Sequence, residues 1–112
     1  MFYVYIIAPD TEFPCKVGVA EDANKRLAAL QTCNWEELHV FETYEMVNRG
    51  AAYRLERIVH RRLSEHCIRG EWFNLMVSDI KKEINSILEE RYSEEPLIYK
   101  DKRKRRILQY AV

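Results

Sequence analysis

The order of apolar and polar positions divides this chain into strand-like and helix-like stretches. Residues 2–8, FYVYIIA, are an aromatic and β-branched run closed by Pro9-Asp10, the pattern of a buried strand entering a turn. A second short strand fits Cys15 to Ala20. Loop-like DTEFP separates the two, so they are expected to pair as an antiparallel hairpin with a loop longer than a tight turn. After Gly18 the period changes. In EDANKRLAALQ, Ala23, Leu27 and Leu30 recur at helical spacing, and Glu21 and Asp22 stand where a cap and the helix dipole favour acids. LHVFETYEM, Leu38 to Met46, supplies a third strand, and Asn48-Arg49-Gly50 punctuates it.

A second helix is expected from about Ala51 to His66, with Ala52, Leu55, Val59 and Leu63 on one stripe and arginines around the rest. Gly70 ends it, and EWFNL follows as a short apolar segment. Val77 to Arg91 reads as a third helix with Ile80, Ile84, Ile87 and Leu88 turned inward. The remainder starts at a proline and carries Lys100, Lys102, Arg103, Lys104, Arg105 and Arg106 before an apolar ILQYAV. The order ββαβαα predicts an α+β fold, a small three-stranded antiparallel sheet flanked by helices. One domain is expected over residues 1–92, and a basic C-terminal tail over 93–112.

Composition narrows the picture. At 112 residues, 47% hydrophobic and 12% aromatic, the chain can build one core but not two. The formal net charge is zero, so any affinity for nucleic acid must come from a local basic stripe. Cys15, Cys33 and Cys67 are odd in number and widely spaced without a CxxC pair, which argues against a disulfide framework and a structural zinc site. A reducing, cytoplasmic compartment is expected. MFYVYIIAPD has no basic leader, and its apolar run is far short of the roughly 20 residues that span a bilayer, so no membrane association is expected.

Several residues carry chemistry. Tyr5 lies mid-strand and Lys16 in the next strand, so a hairpin could bring a phenol and an ammonium side by side. The plain alternatives are a packing tyrosine and an edge lysine that discourages aggregation. Arg26 borders the apolar stripe of the first helix, roughly 60° from it, where a snorkelling surface arginine is the alternative. Glu56 falls only about 40° from Ala52 on the second helix, so a carboxylate faces or borders the core. His60 follows one turn later, a spacing that suits a metal, a phosphate or a simple i,i+4 contact. Arg54, Arg57, Arg61 and Arg62 give this helix a positive excess suited to a polyphosphate backbone, or to plain solvation. Trp72 and Phe73 read as core residues, with Glu71 and Asn74 flanking them and placed to point toward a site.

Taken together, Tyr3-Val4-Tyr5, then Lys16-Val17-Gly18, then Arg26 resemble the signature of the GIY-YIG nuclease superfamily. KVGVAEDANKRLAALQTCN resembles the Lys-Ile-Gly, Lys-Arg-Leu and Gln-Thr-Gly-Asn stretch of its compact phage and bacterial branch. LERIVHRRL and GEWFNL resemble that branch's Glu-x-x-x-His helix and Glu-Trp-Phe closing motif. The resemblance spans about residues 2 to 90. It implies a metal-dependent endonuclease that hydrolyses DNA phosphodiester bonds. Tyr5 would act as or assist the general base, and Lys16 would lower the phenol's pKa or orient the water. Arg26 would hold the scissile phosphate, and Glu56 would bind one divalent cation, Mg²⁺ or Mn²⁺. His60 and Asn74 would complete the catalytic group, and Arg54, Arg57, Arg61 and Arg62 would grip DNA.

The departures are Tyr3 at the family's first glycine, Lys16 at its second-strand tyrosine, and Leu30 near where many members carry a catalytic histidine. They keep two other readings open: a nucleic-acid-binding module that has lost its chemistry, and a protein-interaction domain that docks a partner through ILQYAV. Monomer and homodimer are both compatible with the pattern.

Overall fold

The computed structural model describes residues 1–92 and two short segments beyond them, 99–101 and 106–108. Most of the basic tail expected over 93–112 lies outside the described residues. The elements in chain order are β1 (Phe2–Pro9), β2 (Cys15–Ala20), α1 (Ala23–Gln31), β3 (Leu38–Met46), α2 (Arg49–Arg62), a 3-10 turn (Ser64–His66), β4 (Cys67–Arg69), β5 (Trp72–Phe73) and α3 (Val77–Tyr92). Within residues 1–92 the sheet is antiparallel, with strand order β4-β5-β2-β1-β3. Tyr99–Asp101 and Arg106–Leu108 add as short strands beyond β3.

The α+β class stands, while the three-stranded sheet is corrected to five strands over residues 1–92. The extra pair arises at Gly70, whose φ of +57° lets the chain reverse so that Cys67–Arg69 pairs with Trp72–Phe73. Strands of two and three residues are too short to display a period. The second helix stops at Arg62 rather than running to His66, and the chain tightens into the 3-10 turn before entering β4.

β1 is the central strand, and its near-continuous apolar run follows from being covered on both faces. Val4, Ile6 and Ala8 point into the larger cluster, where Leu55 and Val59 of α2 and Ile80, Ile84 and Ile87 of α3 are fully buried. Tyr5 and Ile7 point the other way, onto Leu38, with Ala23, Leu27 and Leu30 of α1 packed over them. Phe73 belongs to the first layer and Trp72 to the second, because neighbours on a strand face opposite sides.

Local chemistry fixes the helix starts. Asp22 accepts from the Lys25 backbone N–H at 3.1 Å, and Asn48 accepts from that of Ala51 at 2.8 Å, each relieving an orphan donor of a first turn. Gln31 ties α1 to β3: its Nε2 donates to the carbonyls of Asn34 (3.1 Å) and Glu36 (2.7 Å), and its Oε1 accepts from Leu38 N–H at 2.7 Å. This staple sets how α1 lies across the face that holds Tyr5.

Candidate active site

Tyr5 sits opposite Gly18 of β2 and Thr43 of β3. Lys16 lies opposite Ile7, so Tyr5 and Lys16 share a face as diagonal neighbours across the β1–β2 ladder. The phenol lies over Gly18. A Cβ at that glycine would come within 2.4 Å of Tyr5 Oη, 2.6 Å of Tyr5 Cζ and 3.0 Å of Glu71 Oε1. Gly18 is therefore required as the floor on which a phenol and a carboxylate rest together.

Lys16 is only 7% exposed. Its Nζ lies 2.9 Å from Glu71 Oε1 and 5.8 Å from the centre of the Trp72 ring, with Trp72 its register partner on β5. Glu71 is positioned by backbone: it follows the Gly70 reversal, and its carbonyl accepts from Val17 N–H at 3.1 Å. A buried ammonium needs such a partner, and the pair places one positive and one negative charge beside the phenol.

Arg26 reaches in from α1. Its guanidinium donates to the Tyr5 hydroxyl, which raises the arginine's own pKa. On the opposite side of the sheet edge, half-buried Glu56 of α2 lies close enough to Lys16, Glu71 and Tyr5 for their charges to interact. His60 Nε2–H donates to the Val17 carbonyl at 2.9 Å, and the ring stands edge-on to Phe73 at 4.9 Å. That contact ties α2 to β2 and aims Glu56 at the same end of the strand.

The electrostatics correct one expectation. Burial, aided by the negative charges of Glu71 and Glu56, raises the pKa of Tyr5 against the opposing Arg26 hydrogen bond. The phenol is thus not acidified, one of the two roles expected of Lys16, whose ammonium instead pairs with Glu71. Burial also raises Glu56, with Glu71 adding to the shift and His60, Lys16 and Arg57 opposing it.

The structure thus brings together Tyr5, Lys16, Arg26 and Glu56, with His60 in support. Asn74 is placed differently. It is exposed beyond the end of β5, its backbone N–H donating to His66 at 2.7 Å. Register sets it four positions from Gly18, about 13 Å along the ladder. Arg54, Arg57 and Arg61 are exposed on α2, while Arg62 pairs with Glu83 (3.4 Å) and Glu90 of α3. Arg62 is thus a helix-to-helix tie rather than a free phosphate ligand. Glu71, expected from the sequence only to flank the aromatics and point toward a site, stands at its centre beside Lys16 and Tyr5.

Glu56 could hold a divalent cation: burial and the neighbouring Glu71 charge disfavour its ionised form, and a positive ion beside it would offset both. Among the described residues, the His and carboxylate ligand atoms that cluster within 4.8 Å are those of Asp10, Glu37 and His39, at the far end of β1. A groove of about 480 Å³ beside Tyr3, lined by Glu21, Asp22 and Glu42, is acidic and suits a phosphate poorly.

The family model of the T5orf172 domain matches residues 2–88. The chain belongs to the T5orf172 domain family. No curated protein and no solved structure matches it. The matched span of this T5orf172 domain contains Tyr5, Lys16, Arg26, Glu56, His60 and Glu71. Membership is compatible with a nuclease or DNA-binding role. Among the described residues, no helix is long and apolar enough to cross a membrane.

Proposed function

We propose that this T5orf172 domain is a metal-dependent endonuclease of the GIY-YIG type, hydrolysing DNA phosphodiester bonds. The observation that carries the reading is the meeting of a buried phenol and a carboxylate over Gly18, with a paired ammonium, a guanidinium and a second carboxylate brought near them from β2, α1 and α2. Lys16 is buried and Glu56 half-buried, and placing ionisable groups so costs stability, a cost that functional sites commonly carry.

Each residue has work that suits phosphoryl chemistry. Arg26, donating to Tyr5 in the free protein, offers its remaining N–H groups to the non-bridging oxygens of a phosphodiester, where charge builds in the transition state. Tyr5 keeps its proton and donates it as a hydrogen bond to the attacking water or a phosphate oxygen. Lys16 holds Glu71 in place. Glu56 would hold Mg²⁺ or Mn²⁺, which when bound supplies Lewis acidity to the phosphate and stabilises the departing oxygen. His60 fixes α2 against β2 so that Glu56 faces the others. Arg57 and Arg61, exposed on the same helix, extend the positive surface along the flanking backbone.

The test is supercoiled plasmid incubated with the full chain in Mg²⁺, Mn²⁺ or EDTA, beside Glu56→Gln. Metal-dependent nicking that disappears in the variant is the expected result. A folded protein that shifts labelled duplex DNA without cutting it would instead make the domain a binding module, and one that does neither would make it a partner-docking domain.

A further inference from the structure

Hydrolysis needs a group that removes a proton from the attacking water, and the geometry narrows the candidates. Tyr5 is buried over Gly18, and burial raises its phenol's pKa against the opposing Arg26 hydrogen bond, so the phenol holds its proton. Lys16 is an ammonium paired at 2.9 Å. His60 turns Nε2–H into the Val17 carbonyl and stands edge-on to Phe73, so the imidazole serves as packing between α2 and β2. Glu56 is the carboxylate assigned to the cation. Glu71 is left.

Its placement fits the task. Oε1 rests over the same backbone position as Tyr5 Oη, beside Lys16 Nζ. The side chain is 37% exposed while that of Lys16 is 9% exposed, so the carboxylate forms the rim of the site where water enters and the ammonium forms the wall behind it. The Gly70 reversal and the Val17-to-Glu71 backbone hydrogen bond hold it there without help from a flexible loop.

We propose that Glu71 is the general base of this site, with Lys16 as its positioning residue; the assignment rests on the nuclease reading above. The Glu71 carboxylate takes a proton from water, and the water oxygen forms a new bond to phosphorus. The bond from phosphorus to the leaving nucleoside oxygen breaks, its electron pair departs with that oxygen, and a solvent proton completes the alcohol. One water is added across the phosphodiester and nothing is oxidised or reduced.

The experiment is single-turnover cleavage of a labelled DNA duplex by the full chain in Mg²⁺, across pH, for wild type, Glu71→Gln, Glu71→Ala and Glu71→Asp, with duplex binding measured in parallel. Glu71→Gln should lose about 10²- to 10⁴-fold in rate, the range for a missing general base, with binding within a few-fold of wild type. The fall in rate toward acid pH should vanish in that variant, and added formate should restore part of the Glu71→Ala rate by supplying the carboxylate. Should Glu71→Gln fail to fold with Lys16 unpaired, Glu71→Asp decides: slower cleavage with the acid limb retained supports the assignment, and an unchanged rate overturns it. A wild type that cuts while Glu71→Gln cuts equally well also overturns it and leaves the nuclease reading intact. A wild type that cuts nothing overturns both.

Discussion

Gly18 has the sharpest requirement of any single residue here. A methyl group placed there meets the Tyr5 ring at 2.4–2.6 Å, against strand backbone on one side and a packed phenol on the other. Gly18→Ala should cost about 1–3 kcal/mol from overpacking and displace Tyr5 from its place at the site. Thermal unfolding beside plasmid nicking checks both effects, and full activity with an unshifted melt would remove Tyr5 from the centre. Glu56 makes the opposite prediction. Its folded-state pKa lies above the unfolded value, so the protonated form is the one folding favours. That contribution is complete below the unfolded pKa near 4.5 and is lost as pH rises through the folded one. At neutral pH the ionised Glu56 is therefore a burden, and Glu56→Gln should melt no lower than wild type while losing cleavage. Mg²⁺ should raise the melting temperature of wild type more than that of the variant, since only a folded protein with its metal ligand gains from binding. Cys15 carries the same sign at the alkaline end: burial, with Glu12 and Asp79 adding, pushes its thiol from 9.0 up to about 12. Stability should fall as pH rises from about 9 toward 12, and Cys15→Ala should flatten that slope in urea melts taken across the range.

At the level of elements, the longer pieces were legible because they show several periods of their own pattern. The bounds of β2 and β3 read from the sequence coincide with those in the structure, and the α2 and α3 stripes are the residues that are buried. β4 and β5 escaped because two or three residues display no period and depend on the Gly70 reversal. Glu71 stands out in the sequence beside the aromatics, but its pairing with Lys16 is not legible there, since it is a product of β5 pairing with β2, a contact between residues far apart in the chain. Asn74 shows the converse, a position suggested by resemblance whose side chain lies off the end of the short strand. The role of Arg62 was hidden for the same reason, since nothing local announces Glu83 and Glu90 on the next helix. Gln31 gives this scale its prediction. Its amide satisfies two carbonyls and one N–H between α1 and β3, so Gln31→Ala should cost about 1–3 kcal/mol and loosen α1, with Arg26 upon it. Chemical denaturation measures the first, and a weakened cleavage rate with unchanged DNA binding the second.

For the molecule as a whole, eighteen basic and eighteen acidic side chains cancel, so no net field draws DNA in. On the nuclease reading proposed above, attraction is assigned to the exposed Arg54, Arg57 and Arg61 of α2 together with Arg26 of α1. About four such phosphate contacts imply a log–log salt dependence of DNA affinity near −4, and Arg57→Ala should reduce it by about 1 where Arg62→Ala leaves it nearly unchanged. The sheet serves this arrangement by being covered on both faces: α2 and α3 bury one face and hold the protein together, while α1, none of whose residues is fully buried, covers the other. The central claim is that the charges gathered around Gly18 cut phosphodiesters, and Arg26→Ala tests it most directly, because Arg26 is exposed and contributes little to the core. Single-turnover cleavage of a labelled duplex in Mg²⁺ should slow by about 10²- to 10³-fold, with DNA affinity weakened only by the loss of one phosphate contact and melting temperature close to wild type. Cleavage at the wild-type rate by a folded Arg26→Ala protein would contradict the account and place the chemistry, if any, elsewhere on the molecule.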